Sequence, residues 1–296
     1  MVPEQLPQSR PSSMNIRFGR FRVRMDRSFR VTGAAASIDD VALYEFDLRA
    51  NRSDPSAIWT DRLVRIGETG SAASVGRSRL LRSLEVDAPL LHAMLFRNRR
   101  LASLVHLEAI AAYGHVAVLF AAEGGESDEA IMLGAVRALS AAYQPADTTV
   151  TVPTHNVFST HRGFVEVPPT RMEEVELRLE RDAPETRIGL ETLVVPTVEP
   201  HSMVESWGNV MVEWPEVQPS VTVVRSRPRS AAGLSGEELV VATVDEGSQF
   251  TWRFTGVAND PVRPQVTIEM ETAQQPGDAL LNAWDDLLNS LGRAEP

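Results

Sequence analysis

The stretch "GEELVVATVDEGSQFTWRFTGV", Gly236 to Val257, holds two alternating runs on either side of an acidic, glycine-containing break. In the second run Phe250, Trp252 and Phe254 alternate with Thr251, Arg253 and Thr255, the period-two signature of a strand with one apolar and one polar face. Two such runs around the turn "DEGS" predict an antiparallel hairpin. The following "PQVTIEMET" repeats the device, with Val266, Ile268 and Met270 set against Thr267, Glu269 and Glu271. If these strands are neighbours, one face is core and the other a Thr/Arg/Glu ladder. The chain then closes on "DALLNAWDDLLNSLGR". At about 100° per residue, Leu280, Leu281, Trp284, Leu287, Leu288 and Leu291 share one arc of a helix, while Asn282, Asp285, Asp286 and Asn289 lie outside it. That helix should pack its tryptophan and show its acids. The two adjacent carboxylates point in different directions and cannot share one catalytic centre.

The same grammar runs through the rest of the chain. "FGRFRVRMD" places Phe21, Val23 and Met25 on one strand face and Arg20, Arg22 and Arg24 on the other, and "VALYEFDLRA" continues in that style. "SDPSAIWTDRLVRIGE" predicts a helix with Ser53 or Asp54 as cap, Pro55 in the first turn, and Ile58, Leu63 and Ile66 as its apolar positions. Strand candidates "HAMLFRN" and "GHVAVLFAAEG" precede "SDEAIMLGAVRALSAAY", a helix capped by Ser127 with Met132, Val136, Leu139 and Tyr143 in one stripe. The register breaks at "QPADTTVTVPT", Gln144 to Thr154, which reads as a linker. Beyond it "HRGFVEVPP" echoes the opening strand and "VELRLERD" alternates again. A strand, an acidic turn and a final helix close both halves, which suggests an internal duplication of organisation. The expected fold is therefore α+β, with two domains that each pack a mainly antiparallel sheet against helices. Residues 1–15 are assigned to a disordered tail, 16–144 to the N-terminal domain, 145–155 to a linker and 156–296 to the C-terminal domain.

Composition excludes several chemistries. The 296 residues carry a net charge of −11, which disfavours a nucleic-acid or anionic-membrane partner held by basic clusters. With no cysteine there is no disulfide, thiolate nucleophile or Cys-based zinc site. Every basic residue is arginine, so no phosphate-loop lysine or Schiff base can exist, and "GSAASVGRS" reads as a flexible loop. No G-x-S-x-G elbow occurs, and the six histidines, including His155 and His161 around a predicted loop, show no H-E-x-x-H or i, i+4 pair. The acids of "RMEEVELRLERD" fall with Arg178 on one solvated strand face, and nothing selects a glycosidase pair from them. The Arg20, Arg22 and Arg24 face reads as a charged surface that blocks edge pairing. No stretch approaches the roughly 20 apolar residues of a membrane span, and "MVPEQLPQSRPSSMN" predicts no export signal in the sequence as it stands. No catalytic, cofactor-binding or metal-ligating residue is expected, and no cofactor.

The residues that remain carry a resemblance. Gly236, Glu237 and Glu238, the Phe250 and Trp252 pair, Glu269 and Glu271, and the Trp284, Asp285 and Leu288 helix resemble the C-terminal domain of bacterial immunity proteins that neutralise a class of type VI secretion lipase toxins. "FGRFRVRMD" looks like the strand that opens the N-terminal domain of the same family. The resemblance implies a two-domain protein that binds a cognate lipase (phospholipase) toxin between its domains, fixing a lid or blocking substrate entry. It also implies a periplasmic location, against which stands the missing signal; the cytoplasm stays open. A hydrolase with an unrecognised carboxylate pair and a secretion-system adaptor are the alternatives. Glu237, Glu238, Asp245 and Glu246, read as exposed loop acids, and Trp207 in "EPHSMVESWG" are the candidate partner-binding residues.

Overall fold

The computed structural model describes residues 13–51, 54–68, 79–97, 103–146, 156–198, 202–205 and 221–294. Most of the expected tail, the alternative cap Ser53, the "GSAASVGRS" loop, most of the linker, His155 and Trp207 lie outside the described residues. The first part of the chain forms β1 (Ser13–Phe18), β2 (Phe21–Asp26), β3 (Arg30–Ile38), β4 (Val41–Asp47), α1 (Leu48–Asn51), α2 (Pro55–Glu68), β5 (Arg79–Leu84), β6 (Leu90–Arg97), β7 (Val105–Tyr113), β8 (Val116–Gly124), α3 (Glu129–Ala142) and β9 (Tyr143–Pro145). The second forms β10 (Val157–Ser159), β11 (Gly163–Glu166), β12 (Glu173–Asp182), β13 (Glu185–Leu193), β14 (Val221–Ala231), β15 (Leu234–Thr243), β16 (Gly247–Phe254), β17 (Gln265–Thr272), α4 (Asp278–Asn289) and β18 (Gly292–Arg293). The fold is α+β and its sheets are antiparallel throughout.

One sheet of twelve strands runs in the order β14-β15-β16-β17-β13-β12-β3-β4-β8-β7-β6-β5. Two sets of six meet at the β3–β12 pair, and both obey one rule: a first strand, a second strand, then the last strand beside the second and the rest outward to the edge. A helix, α3 or α4, follows the last strand of each set. Two three-stranded sheets reveal an exchange. β9, which ends the first set, pairs with the β10–β11 hairpin that begins the second, and β18, which ends the second, pairs with the opening β1–β2 hairpin. The hairpins touch each other where Gly19 and Ser159 trade backbone hydrogen bonds of 2.8 and 2.7 Å.

Alternation puts one face of the large sheet into a shared core. Val41, Leu43, Val118 and Phe120 join Val175, Leu177, Ile188, Leu190, Phe250, Trp252 and Ile268, roofed by Val136 of α3 and Trp284 of α4. A smaller core covers the other face of the first set, where Trp59 and Ile66 of α2 lie against Met94, Phe96, Ile110 and Leu119. Asp54 caps α2, its Oδ1 accepting the Ala57 N–H at 2.7 Å. The predicted hairpin forms as β15 and β16 around Val244–Glu246, and Gly247 takes a φ of +94° where a Cβ would sit 2.1 Å from the Thr272 carbonyl oxygen.

Local readings need correction at four places. Arg20 is not on an exposed strand face; it sits in the β1–β2 turn and donates to Glu173 at 2.8 and 2.5 Å, because the tight turn swings it toward β12. Ser127 does not cap α3. A short 3₁₀ turn, Glu126–Asp128, intervenes, and the Asp128 carboxylate accepts the Gly125 N–H at 2.9 Å. Tyr143 leaves the helical stripe and, with Gln144 and Pro145, becomes strand β9. Asp285 lies outside the apolar arc of α4 yet is not simply shown to solvent, because arginines of β14 reach it.

Candidate partner-binding surface

The candidate acids separate according to strand phase. Glu238 stands opposite Trp252 in the β15–β16 register, on the face that points into the core, and is 0% exposed. A buried carboxylate must be fully compensated. Trp284 Nε1 donates to it at 3.0 Å, Arg227 Nε at 2.6 Å and Arg225 Nη1 at 3.4 Å. Arg225 and Arg229 also donate to Asp285 on α4, and Trp252 Nε1 donates to the Arg229 carbonyl at 2.9 Å. Partial burial works against the Asp285 charge, but the Arg229 and Arg225 hydrogen bonds prevail and hold its pKa below the ordinary value. Glu238 is thus the hub that ties α4 to β14 and β15, not an exposed loop acid. The alternation from Leu234 through Ala242 would have located it, since Glu238 shares its phase with Val240.

Glu237, one residue earlier, faces the opposite way. It pairs across to Arg253 and accepts the backbone N–H of Met203 at 2.8 Å, which fixes the end of the 202–205 segment. Asp245 and Glu246 occupy the exposed hairpin tip, at the rim of a shallow cleft of about 900 Å³ that Arg187, Gln249 and Glu271 also line. The four described candidates therefore do not converge: one is internal, one is on the outer sheet face and two are at its rim.

The outer face of the second strand set is the larger feature. Registers place Arg253, Thr267, Glu191 and Glu176 in one row, and Thr251, Glu269, Gly189 and Arg178 in the next. Among the described residues no helix as long as α2 covers these rows, but Met203 of the short helical segment 203–205 lines a cavity with Glu191, Arg253, Thr267 and Glu269. Arg178 donates to Glu176 at 2.6 Å, and Arg187 pairs with Glu185 at 3.0 Å. Glu174, Glu191, Glu269 and Glu271 have no ion-pair partner among the described residues. Partial burial, then the charges of Glu174, Glu176 and Glu269, raise the Glu191 pKa; partial burial, then Glu271, raise that of Glu269. The sequence exposed most of this ladder as a solvated face but carried no sign that Glu191 stands directly across from Glu176, which is a matter of register.

No group of three or more His, Asp or Glu positioned to hold a metal ion occurs among the described residues, and no described helix is long and apolar enough to cross a membrane.

Comparison with known proteins agrees with this architecture. The chain aligns over 95% of its length with 97% of the apo immunity protein TplEi of the type VI secretion system from Pseudomonas aeruginosa, at a TM-score of 0.75 and 16% identity. The same immunity protein complexed with an "L" peptide gives 0.72 at 16% identity over 97% of this chain and all of that one. A chain of the Tle4–Tli4 complex gives 0.75 at 14% identity, over 97% of this chain and 100% of that one. At these identities the likeness is one of fold. No curated protein matches the chain by sequence. A family model does: residues 151–293 match the Tle cognate immunity protein 4 C-terminal domain.

Proposed function

We propose that the chain is an immunity protein that binds a cognate type VI secretion lipase toxin and inhibits it by contact, without chemistry of its own. The observation that carries this reading is the family match over residues 151–293, on a fold shared along nearly the whole chain with solved immunity proteins. The finer reading is a clamp. Residues 16–144 and 156–296 act as two domains joined at 145–155, and the toxin is held between them so that its lid cannot cycle. Docking of one domain raises the effective concentration of the other, and an interface of at least about 1,600 Å² fits tight neutralisation. Asp245 and Glu246 at the hairpin tip are contacts, and Trp207 is a further one; Glu237 braces the 202–205 segment elsewhere on the outer sheet face, and Glu238 supports the surface from inside. The periplasm, where such a toxin meets its substrate, is the proposed site of action.

The test uses the tagged chain as bait in extracts of its source bacterium, with retained proteins identified by mass spectrometry. One stoichiometric partner with a G-x-S-x-G lipase motif, whose activity falls as the chain is added, is the expected result. Scattered chaperones, or a retained lipase that stays fully active in saturating chain, overturn the reading.

A further inference from the structure

The outer face of the large sheet is not uniform. Between α2 and the acidic rows lies a shallow trough whose floor is built from small side chains. Ser37, Ala42 and Ala121 stand opposite one another across β3, β4 and β8, all on the outer face. Beside them the trough deepens into a cavity of about 610 Å³ lined by Tyr44, Phe46, Ile58 and Leu119, and Tyr44 is 44% exposed.

The two walls differ in charge. On the α2 side the charges are spent on one another: Arg62 pairs with Glu108 at 2.5 Å, Arg65 with Asp61 at 2.8 Å, and His106 approaches Glu123 at 3.2 Å. On the other side Glu174 stands directly opposite Ser37, and Glu176 directly opposite Glu191. Like charges facing each other across a sheet destabilise it. The cation in the next row, Arg178, is taken by Glu176; Arg253, beyond Thr267 in the Glu191 row, offsets part of the Glu191 charge, but Glu174 and Glu191 have no ion pair within 4 Å among the described residues. The carboxylates are spread over neighbouring strands about 4.8 Å apart in an open row, a shape that matches an extended cationic segment and not a single metal ion.

We propose that this trough docks a cationic amphipathic segment of the toxin, with apolar side chains over Tyr44, Phe46 and Ala42 and Arg or Lys side chains against Glu174 and Glu191. The proposal rests on the immunity reading and gives its partner a definite chemistry. The apolar floor selects the uncharged edge of the segment, and the unpaired glutamates select its basic edge. The arrangement accepts a cost in the free protein, the Glu176–Glu191 repulsion, that the bound segment relieves.

The experiment measures binding of the purified lipase retained by the bait, with the full-length chain and three variants. Glu174→Arg should slow association at least tenfold in about 50 mM salt, the gap closing near 1 M, where the screening length falls to about 3 Å. Tyr44→Ala should leave association nearly unchanged and speed dissociation several-fold. Glu191→Gln should raise the melting midpoint of the free chain while weakening binding, a combination that mere structural damage cannot produce. If the wild-type chain binds the lipase and Glu174→Arg and Glu191→Gln both bind within twofold of it at low salt, the trough is not the docking site although the immunity reading stands. If the wild-type chain binds no lipase, the immunity reading fails and this proposal with it.

Discussion

Strands β3–β8 and β12–β17 hydrogen-bond in the same relative order, yet the first set carries α2 across its outer face and the second presents glutamates there. Their inner faces differ as well. Helix α3 meets the first set through Met132, Val136 and Leu139, an apolar contact, whereas α4 meets the second through Trp284 and a charged hub in which Glu238 gathers Arg225, Arg227 and the indole N–H. One chain plan thus tolerates two solutions on each face. Hydrophobic alternation fixes which way residues point, while the identity of what covers them is free to vary.

The largest expected effects break this comparison at α4. Trp284→Ala should cost about 3–5 kcal/mol of stability, because it opens a cavity against Phe250 and removes a donor from a buried carboxylate. Glu238→Ala should cost a similar ~3–5 kcal/mol, since it leaves Arg227 and Arg225 beside Asp285 without their inner partner. The sharper version keeps an aromatic ring in place. Trp284→Phe should still cost about 1–3 kcal/mol for the lost hydrogen bond, whereas Leu139→Met in α3 should cost less than about 1.5 kcal/mol. Denaturant melts with unchanged slope would measure each, and equal costs for the two conservative changes would show that the polar hub adds nothing beyond packing.

Gly247→Ala comes next. At φ +94° with the Thr272 carbonyl in the way, any Cβ forces the β15–β16 turn to shift, and a loss of at least about 1–3 kcal/mol is expected. Gly114, which has a φ of +62° and nothing within 4 Å of the place a Cβ would take, sits in the β7–β8 turn of the first set and should tolerate alanine better. Equal losses at the two turns would mean that backbone strain alone, and not the Thr272 contact, sets the cost.

Those residues also mark how far the sequence reaches. The β15–β16 hairpin, the α2 cap and the Trp284 helix follow from periodicity and turn chemistry, which act over a few residues. The exchange of hairpins does not, because β18 is only Gly292–Arg293, too short for any periodic signal, and it pairs with a strand at the far end of the chain. Strand phase placed Glu238 within reach of a correct reading, but its adjacency to Glu237 at what looked like a loop masked the difference between an inner and an outer carboxylate. The trough was further out of reach, since it arises where β3 and β12 meet across more than a hundred residues.

The two exchanged hairpins are anchored by different chemistry, and pH can separate them. The first is held by Arg20 and Glu173, an ion pair 2.5 Å long. The second is held by Glu45, whose carboxylate accepts Tyr143 Oη at 2.6 Å, Thr160 Oγ1 at 2.5 Å and the Arg162 N–H at 2.8 Å. Burial raises the Glu45 pKa above 4.5 despite those donors. A carboxyl with a raised folded pKa holds its proton more tightly in the folded state, so its contribution is full below pH 4.5 and fades as pH rises through the folded value. The stability of the wild-type chain relative to Glu45→Gln should therefore decline from pH 4 toward neutrality. A difference that stays constant, or grows, over that range would rule out Glu45 as the titrating anchor.

The smallest effect on stability should come from the hairpin tip, and it separates folding from recognition. Asp245→Arg with Glu246→Arg alters two exposed residues in a turn, so the melting free energy should stay within about 0.5 kcal/mol of wild type. Gly247 keeps the turn geometry and the substitutions leave the β15–β16 ladder intact. If the tip contacts the toxin, the same double change should slow association, most strongly at low salt, because rim charges act chiefly on the encounter. Unchanged association rates, together with a slowed rate for Glu174→Arg, would move recognition from the rim of the second strand set to the seam between the two sets.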